Sequence, residues 1–175
     1  MAVPTWISGQ VLTADDVNNW FIPMIAVKDA DESVTSSTTV QNDDELVITN
    51  LPINTTFLFQ CFLLYQGGTG GSSDLKITWA VPTGTFLRYA GAYEGGSGSA
   101  NVGSAFAASD VLSLRTQGSG VKCGATFSGT LSVGSTTGSV QLEWAQVTSS
   151  GTSTTVNKQS VIMLQRIWDA ALVSS

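Results

Sequence analysis

The sequence predicts an all-β fold, a β-sandwich preceded by an arm with one short helix, and three observations lead there. Strand-like segments with apolar residues at alternate positions recur along the chain, separated by clusters of turn-forming residues. Charged residues make up only 11% of the 175, against about 25% in ordinary globular domains, so Ser, Thr, Gly, Asn and Gln must supply the polar surface. The helical start signal is the stretch "GQVLTADDVNNWF" at residues 9–21. A chain of this length is most simply one domain whose core needs no staples.

The helix comes first. Thr13 is placed as its N-cap, and Asp16, three residues on, can reach back to the N–H of the cap. Asp15 and Asp16 set negative charge at the positive end of the helix dipole. Leu12 and Val17 have the spacing of a hydrophobic staple, and Pro23 stops the helix by Ile22, which gives a helix over 13–22. A helix this short falls below the ~12–15 residues that persist alone in water. Its apolar face of Val17, Trp20, Phe21 and Met24 must therefore pack, either on its own domain or in another protein. Residues 1–31 are expected to form the arm, 32–168 the sandwich and 169–175 a tail.

Strands are predicted at 33–40, 44–51, 55–66, 74–81, 85–93, 110–117, 121–133, 139–148 and 155–168. Turn chemistry separates them: "NLPIN", "GGTGGSS", "PTG", "EGGSGSANVGS", "GSG" and "GSTTG", of which the second and fourth read as flexible loops. "VKCGATF" is an ordinary strand with one wet side, Val121, Cys123, Ala125 and Phe127 facing away from Lys122, Gly124 and Thr126. Two segments break this rule. In "TTFLFQCFLLYQ", Phe57, Phe59, Cys61, Leu63 and Tyr65 fill one face, while Leu58, Phe62 and Leu64 fill much of the other. In "SVIMLQRIW", Val161, Met163 and Ile167 alternate with Ile162, Leu164 and Trp168. A strand apolar on both faces must be covered on both. A lone sandwich covers one, so the second cover is an arm, a neighbouring subunit, or both. Leu58, Phe62, Leu64, Ile162, Leu164 and Trp168 are the expected subunit interface.

Several chemistries are disfavoured. The chain has no His, which removes Ser-His-Asp and Cys-His catalysis and His-based metal sites. No GxSxG elbow or phosphate-binding loop occurs. Glu94, Asp110 and Glu143 are carboxylates that nothing in the sequence brings together for glycoside hydrolysis, so no catalytic residue and no cofactor is expected. "DADE" (29–32) and "NDDE" (42–45) lack the spacing of a calcium loop and read as solvated acidic turns. Cys61 and Cys123 read as buried free thiols, with a mutual disulfide as the alternative.

Net charge is −6 and the pI about 4.3, which argues against nucleic acid as a partner. Residues 1–45 carry eight acids and one base, a net −7, and the remainder six bases and five acids, a net +1. The start lacks the marks of a signal peptide, and no apolar run is long enough to insert in a membrane, so a soluble protein is expected. Trp79 and Trp144 alternate in phase with apolar neighbours and read as core. Tyr89 and Tyr93 share a face beside the long loop that follows them, where they are placed for contact with a cell-surface glycan.

The order of the strands resembles a jelly roll of the tumour-necrosis-factor and complement globular-head type. "SGQVLTADDVNNWF", "DDELVITNLPINTTFLFQCFLLYQGG", "SSDLKITWAVPTGT" and "FSGTLSVGSTTGSVQLEWAQVTSSGTSTTVNKQSVIMLQRI" resemble structural proteins of tailed phages that infect actinobacteria. The resemblance implies a non-enzymatic homotrimer around a threefold axis, as a minor tail protein, tail fibre or capsid decoration. It also implies a place on the particle surface after assembly in the host cytoplasm. Val3, Trp6, Ile7, Leu12, Val17, Trp20, Phe21, Ile22 and Met24 would then anchor the arm to another virion protein. The rival reading is a carbohydrate-binding module of a tail fibre.

Overall fold

Residues 7–68, 73–96 and 99–167 are described by a computed structural model. Trp6, Trp168 and the predicted tail at 169–175 lie outside the described residues. Helix α1 runs Ala14–Trp20, with the capping box in place. The Asp16 N–H donates to Thr13 Oγ1 (3.1 Å), and the Thr13 N–H donates to Asp16 Oδ2 (3.0 Å).

The strands are β1 (Met24–Val27), β2 (Glu32–Val34), β3 (Gln41–Leu51), β4 (Thr55–Gln66), β5 (Leu75–Ala80), β6 (Phe86–Gly96) and β7 (Ser99–Ala105). They continue as β8 (Leu112–Leu114), β9 (Cys123–Val133), β10 (Gly138–Gln146), β11 (Thr154–Val156) and β12 (Val161–Ile167). Two antiparallel sheets result, forming the predicted β-sandwich. The large sheet has the order β1-β12-β4-β9-β6-β7, with β11 joining β4 to β2, and the small sheet has the order β3-β10-β5-β8. With the β6–β7 hairpin set aside, the chain crosses between sheets at each step from β3 to β4 to β5, and again from β8 to β9 to β10.

The core lies between the sheets because one phase of each long strand is apolar and points there. Phe59, Tyr89 and Phe127 come from the large sheet and Trp79 from the small one. Their rings meet at 5.0 Å (Phe59–Trp79) and 5.4 Å (Tyr89–Phe127), both edge to face. Burying each such side chain stabilises the fold by about 1.5–3 kcal/mol. Gly129 sits opposite both Phe59 and Tyr89 in the sheet register. A Cβ there would lie 2.0 Å from the Arg88 carbonyl oxygen, so the close approach requires glycine. Trp144 and Leu142 are buried as predicted, and both cysteines are buried free thiols.

Four expectations change. β1 hydrogen-bonds to β12, so the arm ends near Pro23 rather than at 31. "ANVGS", read as loop, forms most of β7, whose Gly103 lies within reach of the Tyr93 ring. The predicted 155–168 strand divides at a turn where Gln159 takes φ +70°. There the Gln159 N–H donates to the Lys28 carbonyl (2.7 Å), and the Lys28 N–H donates to that of Ser160 (2.9 Å). Finally, the acidic turns are not simply solvated. The Lys28 ammonium, itself 1% exposed, lies 2.8 Å from Glu32, 2.9 Å from Asp43 and 3.4 Å from Glu45. Asp43 is fully buried, and its Oδ1 also accepts the Leu46 N–H at 2.8 Å. Burial alone would push the Lys28 pKa down, but its bonds to Glu32 and Asp43 and their charges outweigh that and raise it. This clasp pins the 28–32 segment onto β3.

Candidate interaction surface

Residues directly opposite one another in neighbouring strands point to the same face, so the register defines rows across the outside of the large sheet. One row runs Val27, Val161, Phe62, Thr126, Ala92, Val102. The next runs Ile25, Met163, Gln60, Ser128, Ala90, Ser104. Beyond it, Gln165, Leu58, Thr130 and Arg88 align, and Leu64 lies opposite Gly124. The outer face therefore has an apolar part on β1, β12 and β4, and a part of small or polar residues on β9 and β6.

The apolar part is open. Ile25, Val27 and Phe62 are exposed, Phe62 by 42%, and Leu58, Leu64, Val161 and Met163 are half-buried. A hollow of about 280 Å³ lies among Gln60, Phe62, Thr126, Ser128, Val161 and Met163. Leu58, Phe62 and Leu64 stand on the outward face, as the sequence predicts. Ile162 and Leu164 do not: both are buried in the sandwich's own core, opposite Cys61 and Phe59. The outward residues of β12 are Val161, Met163, Gln165 and Ile167.

The arm lies ahead of β1 at the edge of this face. Ile7, Leu12, Val17, Phe21 and Ile22 are exposed, while the Trp20 side chain lies outside what is described. Met24 departs from the expected anchor. It pairs with Leu164 and packs, half-buried, against the core. The glycan expectation also fails at Tyr89. Tyr89 is 3% exposed, wedged among Phe59, Trp79 and Phe127, and Tyr93 packs half-buried on Phe127. Burial pushes the Tyr89 phenol well above its usual pKa, and burial does the same to the Cys61 thiol, which is held as an unreactive neutral group.

The three carboxylates considered for hydrolysis stand on separate elements. Glu94 is in β6 and Glu143 in β10 of the other sheet, and Asp110 caps a turn by accepting the N–H groups of Phe106 (2.8 Å) and Ala107 (3.0 Å). Among the described residues no helix is long and apolar enough to cross a membrane.

No protein-family model matches this chain, and no curated protein matches it. Among solved structures it is similar to the tripod from the baseplate of bacteriophage Tuc2009, at 11% identity over 95% of this chain and 75% of that one, with a TM-score of 0.31. It is also similar to a chain of infectious bursal disease virus, Gx strain, at 11% identity over 99% of this chain and 47% of that one, with a TM-score of 0.24.

Proposed function

We propose that this protein is a non-enzymatic structural component of a phage particle, a jelly-roll homotrimer fastened to other capsid or tail proteins by its N-terminal arm. The observation that carries the reading is the uncovered apolar part of the outer face. Ile25, Val27, Phe62, Val161 and Met163 lie side by side in two adjacent rows, which is the kind of contiguous patch that marks an association surface. The crossing of successive strands between sheets supports the jelly roll. The resemblance of the opening, central and closing segments to tailed-phage structural proteins supports the particle, its surface and assembly in the host cytoplasm.

The arm supplies the attachment. Its exposed Leu12, Val17, Phe21 and Ile22 gain little in water, and a helix of seven residues needs a partner to persist. Phe21 and its neighbours then act as apolar anchors in a partner's pocket. Sedimentation equilibrium at micromolar concentration tests the assembly: a trimer is expected, and a folded monomer sinks the reading. Deleting residues 1–22 should leave the trimer intact and abolish incorporation into particles. Normal incorporation of the truncated chain would remove the role of the arm.

A further inference from the structure

The geometry points to a saccharide-binding groove at the end of the sandwich, lined by Pro82, Thr85, Phe86, Arg88, Phe106 and Glu143. It is an open hollow of about 630 Å³ between the 82–86 and 106–109 segments. A smaller hollow of about 180 Å³ among Phe86, Arg88, Thr130 and Ser132 continues it around the sheet edge. Two aromatic rings stand out into solvent here, Phe86 at 63% and Phe106 at 73% exposure. Neither ring is needed to fill the core.

Both walls are fixed in advance. Asp110 Oδ2 accepts the N–H groups of Phe106 and Ala107, and the Ala108 carbonyl accepts from the Trp79 N–H (3.1 Å) and the Thr78 hydroxyl (2.8 Å). On the other side the Thr85 N–H donates to the Pro82 carbonyl (3.0 Å), closing a turn in which Gly84 takes φ +79°. Gly138 abuts that turn so closely that a Cβ would meet Pro82 Cγ at 2.8 Å. A site held rigid before binding loses little conformational entropy when it is filled.

The occupant follows from the lining chemistry. Exposed flat rings suit the C–H faces of pyranose sugars. One guanidinium and one carboxylate, Arg88 and Glu143, offer donors and acceptors to hydroxyl groups without a net field. That balance disfavours phosphate or sulfate, which call for clustered cations. An apolar peptide anchor wants an enclosed pocket, whereas this hollow is open to solvent, which suits a neutral oligosaccharide. The groove flanks the small, polar part of the outer face, so it stays accessible in the proposed trimer and does not depend on it.

The test is binding of the full-length protein to an array of neutral hexose and pentose oligosaccharides, with Phe86→Ser, Phe106→Ser and Arg88→Gln as variants. Binding to at least one neutral glycan is expected, weakened at least tenfold by each Phe substitution, with melting temperature and sedimentation unchanged. No binding by the wild-type protein across the array overturns the proposal. So does binding that all three variants retain, and so does a groove that captures an apolar dye or an unfolded polypeptide in place of sugars. Sedimentation reads the trimer separately, so loss of one reading leaves the other standing.

Discussion

The two flanks of the large sheet share hydrogen-bonded rows yet are built on opposite plans. On the flank made by β1, β12 and β4, large apolar side chains occupy both faces, and a buried cation tied to three carboxylates holds the edge. On the flank made by β9, β6 and β7, the outward residues are mostly small or polar (Thr126, Ser128, Ala90, Ala92 and Ser104), the exposed Val102 being the exception, and glycines let the strands close on aromatic rings. One flank is completed by what covers it, the other by what it leaves out. The difference shows that strand pairing fixes the direction in which a residue points, and that residue size then decides whether the face seeks a partner.

The largest expected effect separates the flanks at their charges. Lys28→Met leaves Asp43 buried without its cation and should cost about 3–5 kcal/mol in urea denaturation. Lys122→Met, at the exposed entry to β9, should stay within about 0.5 kcal/mol. Equal losses would mean that the clasp is not what holds the first flank.

A second comparison uses one row. Val161→Asp places a charge in the apolar patch and should weaken trimer assembly by about 2–4 kcal/mol. Ala92→Asp, in the same row on the other flank, should leave sedimentation unchanged. If both disrupt assembly, the interface spans the whole face.

Glycine sharpens the contrast further. Gly91→Ala would put a Cβ 2.0 Å from the Thr126 carbonyl oxygen and should destabilise by about 1–3 kcal/mol. Gly124→Ala meets nothing within 4 Å and should be neutral or gain about 0.5 kcal/mol through the unfolded chain. Thermal melts of the two variants decide it.

The smallest effect is on pH. Asp31 accepts the Lys158 N–H at 2.7 Å, which holds its carboxyl below the usual value. Glu45 is also lowered: burial pushes it up, but the Ala30 and Asp29 N–H groups and Lys28 outweigh this. Carboxyls with depressed folded-state pKa values contribute above their unfolded values and lose that contribution as pH falls through the folded ones. Lys28, raised, contributes below the ordinary lysine pKa and loses it as pH rises through its folded value. Hydrogen exchange should therefore show β1 and β2 loosening before β7 as pH drops below about 4. Uniform loosening would place the acid-sensitive groups elsewhere.

Much of this architecture is legible in the sequence where one signal dominates. Thr13 and Asp16 define the helix start, and the run from Thr55 to Gln66 reads as β4 to the residue because both its phases are apolar. That same property hid the direction of β12. Gln165 shares a phase with Val161 and Met163, which hints that this phase faces out, but Arg166 stands in the other and cancels the hint. Pairing decides it, with the core residues Cys61 and Phe59 of β4 on one side and Met24 and Ala26 of β1 on the other. β7 was illegible because "SANVGSA" has no apolar alternation. Tyr89 could have been placed inside from its neighbours, since Arg88 and Ala90 hold the outward phase. Phe86 shares that outward phase with Arg88, the one sign of the groove that the sequence carries. Lys28 is the only base among eight acids in residues 1–45, which was a usable clue to the clasp.

The pairing of β1 with β12 has a consequence in time. Synthesis delivers β1 long before the strand it hydrogen-bonds to, and β4 likewise waits for β9 and β12 on its two sides. Non-local pairing of this kind slows folding to roughly milliseconds to seconds. Until β9 and β12 emerge, both hydrogen-bonding edges of β4 stay unpaired in the nascent chain. The sheet order thus makes the arrival of the last strand the event that closes both edges of β4, while its outer face still waits for a partner.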